Sequence, residues 1–185
     1  MPRKFFRRVL YRYLPDPEAV RSSRMVARFG RWLQHPNLWH LNRRSVSGAV
    51  AIGLFSGLVP GPLQMLTALL LAVPLKKNLP VALLMTLYTN PFTIVPLYLL
   101  AYAYGHLLLP GERAAHVTPF EFDWANFGES MGALGDWMLS LGKPLAVGLV
   151  ALGCTLACIG YLAVQIGWRL YVILAWRARA RRRKP

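Results

Sequence analysis

Few side chains in the apolar middle of this chain can do chemistry, and they gather at two places. Gln64 follows Pro60-Gly61-Pro62, and Thr89, Asn90 and Thr93 surround Pro91. Proline lacks an N–H and clashes with the preceding turn, so a helix stops or bends at each place. A stopped helix leaves backbone N–H and C=O groups without intrahelical partners. Amide and hydroxyl side chains beside such a stop either satisfy those groups or face a ligand. Pro60, Gly61, Pro62, Gln64, Thr89, Asn90, Pro91 and Thr93 are therefore the candidate hinge or substrate-binding residues. Thr67 and Thr86 lie about a turn from their breaks.

The chemistry on offer is hydrogen bonding. No Asp, Glu, Lys or Arg falls between Arg44 and Lys76 or between Lys77 and Glu112, which weighs against an ion-coupled site built from these segments alone. G-x-S-x-G, H-E-x-x-H and phosphate-loop patterns are absent. His35, His40, His106 and His116 lack metal-ligand spacing. Cys154 and Cys158 are spaced to share a helix face, as small packing residues do. No enzymatic activity, metal or cofactor is expected.

The two charge-free segments must position these residues. Val46–Val59 and Leu63–Leu75 read as half-helices of about 20 Å each, too short to cross a hydrocarbon core of about 30 Å alone. Joined straight they would be too long, so a hairpin that dips in and returns is expected. Ala49, Gly53 and Gly57 form a small-residue stripe that permits close helix approach. Pro80 suits the first turn of a short helix over Leu79–Thr89. Phe92–Leu109 approaches a full span, with a kink expected at Pro96. Its Tyr98, Tyr102 and Tyr104 are expected at an interface or a polar cleft. Leu145–Trp168 is the cleanest transmembrane segment, ended by Arg169 and the basic tail. Trp124, Phe127, Met131, Leu134, Met138 and Leu141 mark an amphipathic helix in the acidic stretch 112–143, with Glu129 and Asp136 off or beside the stripe.

Charge is sorted along the chain. The net charge is +15, from 22 Lys and Arg against 7 Asp and Glu. Its cations concentrate in residues 1–45 and 169–185, flanking the apolar segments. This pattern fits the positive-inside rule and anionic lipid better than nucleic acid, for which no recognition motif is present. Residues 5–14, and those from Pro17 to His35, read as basic amphipathic helices that lie in the headgroup plane or pack on the protein's own cytoplasmic face. The organisation expected is a basic interfacial segment (1–44), a membrane domain (45–168) and a basic cytoplasmic tail (169–185). With both termini cytoplasmic the number of crossings is even. Making the first broken segment re-entrant keeps Lys76-Lys77 inside and places 112–143 outside.

The run from Gly48 to Met65, with Asn78-Leu-Pro-Val-Ala82, Thr89-Asn-Pro-Phe-Thr93 and Pro96-Leu-Tyr98, resembles a bacterial family catalogued as domain of unknown function 2062. The resemblance covers roughly residues 40–168 and departs at Ser45-Val46-Ser47, where family patterns often carry Ser-Pro. It implies a small inner-membrane protein of uncharacterised activity. A looser, architectural likeness connects the chain to DedA-type lipid translocases, which also use re-entrant hairpins.

The fold class expected is thus an all-α integral membrane protein of proline-broken helical hairpins plus at least one full transmembrane helix. Its expected partners are the lipid bilayer, anionic lipids and, as an option, further copies of itself. Two functions suit it: translocation of a lipid-like or small amphiphilic molecule, or a non-transporting scaffold whose basic arms bind lipids or proteins. For the first, the two breaks should meet, with Asn90 buried and bonded across the contact.

Overall fold

A computed structural model of the chain describes residues 35–61, 63–110, 120 and 126–181. The basic amphipathic helices expected before His35 lie outside these residues, as do Pro62 and Trp124. All regular structure among the described residues is helical, in agreement with the all-α expectation.

Helix α1 (Arg43–Ser56) begins where Asn42 Oδ1 accepts from the Ser45 N–H at 2.7 Å. It therefore starts three residues before Val46, and Ser45-Val46-Ser47 needs no proline to open it. The chain leaves α1 at Gly57 and turns through Gly61, whose φ of +64° favours glycine. Helix α2 (Leu63–Ala72) returns alongside α1. Its end is closed by Lys77 N–H to Ala72 O at 2.9 Å and Lys76 N–H to Val73 O at 3.1 Å. That bond pair is a Schellman ending, which puts Lys76 in the left-handed region at φ 52°. The Lys77 stem crosses Gly48, and its ammonium donates to Arg44 O at 3.4 Å. The two outer ends of the α1–α2 pair therefore lie together.

Helix α3 (Leu79–Thr86) is capped by the buried Asn78, whose Oδ1 accepts from the Val81 N–H at 3.0 Å. Pro80 occupies the first turn, as the sequence predicts. The Ala49-Gly53-Gly57 stripe seats α3: a Cβ at Gly53 would collide with Met85 and the Ala82 carbonyl, and one at Gly57 with Tyr88. These contacts run in register, so α3 is parallel to α1. Helix α4 (Ile94–Leu108) starts two residues later than Phe92. Pro96 thereby falls in the first turn, where its missing N–H has no intrahelical partner to lose. The kink expected at Pro96 is thus replaced by the beginning of a helix.

Helix α5 (Phe127–Ser140) forms despite Gly132 and Gly135, and the positive φ of Gly142 separates it from the next helix. Leu134 and Leu141 of the apolar stripe are buried, joined by Trp137, whose ring packs tilted against Phe120 at 5.7 Å. Glu129 and Asp136 are exposed. Helix α6 (Gly142–Arg181) is 40 residues long and does not stop at Trp168. Arginine, leucine and alanine are strong helix formers, so Arg169 ends the apolar run without ending the helix.

α6 runs antiparallel to α4 and then to α1. Gly105 and Gly148 bring backbones into contact, since a Cβ on either would strike the Pro144 or Ala101 carbonyl. Farther along, Gly153 meets Phe55 and Leu58, Gly160 meets Val50 and Leu54, and Gln165 Nε2 donates to Ser47 Oγ at 3.0 Å. Two clusters result. One holds Ile52, Ala68, Leu79 and Ala82 of α1–α3, and the other Leu58 of the first break with Tyr98, Trp137 and Leu145 of α4–α6. From Gly142 to Ala178, α6 is long and apolar enough to cross a membrane, and α2 and α4 are shorter apolar helices.

Candidate functional site: the junction of the two breaks

Helix α1 ends between the two clusters, and its last carbonyls have no intrahelical N–H to meet. Three hydroxyls from the second broken segment meet them instead. Tyr88 Oη donates to Leu54 O at 2.7 Å, Thr89 Oγ1 to Gly57 O at 2.7 Å, and Tyr98 Oη to Leu58 O at 3.0 Å. Tyr98 is fully buried. It reaches the junction from the second turn of α4, whereas Tyr88 and Thr89 come from the turn after α3.

Thr89 Oγ1 also lies 2.7 Å from Gln64 Oε1 and 3.1 Å from Thr86 O. One hydroxyl carries one proton and cannot donate to three acceptors. The set is satisfied when the Gln64 amide turns its NH2 toward Thr89, so that Gln64 donates to Thr89 and Thr89 donates to Gly57 O. Thr89 and Gln64 then link the first break to the second by one hydrogen-bonded chain.

Asn90 does something else. It is exposed, and its Oδ1 accepts from Phe92 N–H at 3.0 Å and Thr93 N–H at 3.1 Å. Thr93 Oγ1 accepts from the Asn90 N–H at 3.0 Å and donates to Tyr88 O at 2.7 Å. This corrects the expectation of a buried Asn90 bonded across the contact. An Asn beside proline finds its own backbone two and three residues on, and that local turn forms without long-range packing. Pro91 sits half-buried within the turn, Pro60 is exposed, and Gly61 supplies the reversal of the first break.

Of the candidate residues, the fold thus joins Gln64 to Thr89, keeps Asn90 and Thr93 for the second turn, and uses Pro60, Gly61 and Pro91 as bends. Thr67 and Thr86 bond back to Leu63 O and Leu83 O of their own helices at 2.8 and 2.7 Å. Tyr102 and His106 pair with each other at 3.0 Å, and Tyr104 with Thr155 at 3.3 Å.

Sequence reasoning missed Tyr88 and the carbonyls of Leu54, Gly57 and Leu58. It also missed Ser56, whose hydroxyl is fully buried with no hydrogen-bond partner. A helix that ends in apolar surroundings needs donors for its last carbonyls, and that need was the available signal. Four helix ends converge here. The C-termini of α1 and α3 and the N-termini of α2 and α4 bring partial charges of both signs.

A shallow apolar groove of about 370 Å³ lies elsewhere, between α1 and α6, lined by Ala51, Ala157, Cys158, Tyr161 and Leu162. None of these is a break residue.

No curated protein and no solved structure matches the chain, so the likeness to DedA-type translocases is not shown. The bacterial family described as "Uncharacterized protein conserved in bacteria (DUF2062)" matches residues 26–177, which include both breaks and the helices around them. On that match, the chain belongs to the DUF2062 family.

Proposed function

We propose that this is a multi-pass bacterial inner-membrane protein with both termini cytoplasmic. In this reading α1–α2 is a re-entrant hairpin, α3–α4 one broken crossing and α6 a second. The junction of the breaks translocates, or helps translocate, a lipid-like or small amphiphilic molecule. The observation that carries it is the Gln64–Thr89–Gly57 hydrogen-bonded chain between the breaks, at mid-depth in this reading. Gly153 of α6 faces the first break, about 14 Å along the helix from Pro144 and about 18 Å from Gln165. Those distances sum to about the thickness of a hydrocarbon core. Half-helix ends at mid-depth are how many transporters place a binding site.

Reconstituted liposomes give the test. Wild-type protein should accelerate movement of a labelled phospholipid between leaflets, and Gln64→Leu should fold normally yet lose that activity. Equal rates in protein-free and protein-containing vesicles would remove the translocation reading. Topology is checked separately: a cysteine at Lys76 should react with an impermeant reagent only from the cytoplasmic side.

A specific observation favours a second reading, a non-transporting scaffold. Every hydroxyl described at the junction except that of Ser56 is engaged on backbone or on Gln64, which is what stabilising a bend requires. Under this reading Gln64→Leu changes stability only, and partner or lipid recruitment is the activity to assay.

A further inference from the structure

Lys76 holds a conformation that glycine adopts at less cost. Its φ of 52° is the left-handed cap of the Schellman ending of α2, a position usually filled by Gly or Asn. A lysine there has no packing role to explain it, for its side chain is exposed. It does have company. Lys77 crosses Gly48 to reach Arg44 O, so Arg43, Arg44, Lys76 and Lys77 sit at one end of the α1–α2 pair. The N-termini of α1 and α3 lie at this end too and add positive potential. Among the described residues the carboxylates are Glu129 and Asp136, both on α5, so none faces these cations.

An independent feature says which anion fits. The surface of α2 and of the turn that follows it, running away from Lys76, is apolar and exposed: Leu75 in the turn is 56% exposed, and Leu70 and Leu66 on the helix are 63% and 49%. A free phosphate would use the cations and leave this face bare. A phospholipid would use both, with its headgroup among the cations and its acyl chains along α2. We propose that Arg43, Arg44, Lys76 and Lys77 form a binding site for the headgroup of an anionic phospholipid, with Lys76 kept in a strained cap to complete it. The proposal rests on the membrane reading and assigns a lipid site separate from the junction of the breaks.

The experiment uses the purified full-length chain in mild detergent, titrated with phosphatidylglycerol, phosphatidylcholine or soluble glycerol phosphate. Affinity and thermal midpoint are both read. Wild-type protein should prefer phosphatidylglycerol, with glycerol phosphate producing little shift. Lys76→Gly should weaken phosphatidylglycerol binding about fivefold. The same substitution should raise the lipid-free midpoint by about 2–4 °C, because glycine relieves the cap. Lys76→Asn, which tolerates the left-handed region, should lose the same binding, and Lys76→Arg should keep it. Opposite movements of affinity and midpoint separate this site from a merely structural lysine. Unchanged phosphatidylglycerol affinity in Lys76→Gly and Lys76→Asn overturns the site while leaving the membrane reading intact. An equal response to glycerol phosphate overturns the lipid assignment. A chain that stays in solution without detergent overturns both the site and the membrane reading.

Discussion

The two breaks have similar punctuation and opposite dependence. The second, from Leu87 to Thr93, is self-sufficient: Asn90 Oδ1 takes the N–H groups of Phe92 and Thr93, and Thr93 Oγ1 takes the carbonyl of Tyr88. The first, from Gly57 to Gly61, has no polar side chain of its own among the described residues. The carbonyls of Leu54, Gly57 and Leu58 are met by Tyr88, Thr89 and Tyr98, all contributed from beyond α2. A bend with an asparagine can form early and locally. A bend without one waits for its partner, so the first break should be ordered only when α3 and α4 are in place.

The sharpest way to break this asymmetry is at Tyr98. It is fully buried, packs in the cluster with Leu58 and Trp137, and supplies the donor for Leu58 O. Tyr98→Ala should cost about 3–5 kcal/mol, the range for emptying an aromatic site. Tyr98→Phe keeps the ring and isolates the hydroxyl, at about 1–3 kcal/mol for a carbonyl left unmet. Denaturant unfolding in detergent measures both. Hydrogen exchange should place the damage at Val59 and the end of α1, with the Asn90 turn unaffected. Loss of protection at Phe92 and Thr93 instead would mean that the two breaks form one unit.

Thr89→Val comes next. It preserves shape and removes the proton that reaches Gly57 O. About 1–3 kcal/mol is expected, with the first break again the region that loosens. Asn90→Ala tests the other half of the comparison. Its exposed side chain makes two local bonds, so about 1 kcal/mol is expected. Exchange should quicken at Phe92 and Thr93 while Leu58 and Val59 keep their protection. Equal loosening of both breaks in this variant would end the claim of one-way dependence.

This asymmetry also explains what was legible in the sequence. Proline and glycine mark where a helix stops, so both breaks, the small-residue stripe on α1 and the helical class could be read from residue types. Local capping could have been read in the same way and was not: Asn42 and Asn78 sit just before helices, and the Asn-Pro pair makes its own turn, yet the first helix was started at Val46 and Asn90 was expected to be buried. The length of α6 was hidden because a charge ends an apolar run without ending a helix. The junction was hidden for a different reason. Leu54 O, Gly57 O and Leu58 O are backbone groups, identical in every residue type, and their donors lie 32 to 40 residues away. Tyr98 was expected at an interface or a polar cleft because sequence shows its amphipathic character and not the carbonyl it will meet.

The smallest effect is the most informative about function. Gln64 is half-buried, and its side-chain amide pairs with the Thr89 hydroxyl. Removing its amide leaves the Thr89–Gly57 bond intact, so Gln64→Leu should cost under about 1 kcal/mol, the net value of one partly solvated hydrogen bond. A double-mutant cycle with Thr89→Val isolates the link between the breaks. Coupling of about 0.5–1 kcal/mol is expected for residues in direct contact within one network. A coupling near zero would mean that Gln64 faces away from the junction and that Tyr88, Thr89 and Tyr98 hold the first break without it. Set beside the liposome assay, the cycle sorts the two proposed functions. Under translocation, Gln64→Leu loses far more activity than its small stability change explains. Under the scaffold reading, activity falls in proportion to stability across Tyr98→Phe, Thr89→Val and Gln64→Leu, and Gln64 shows no excess.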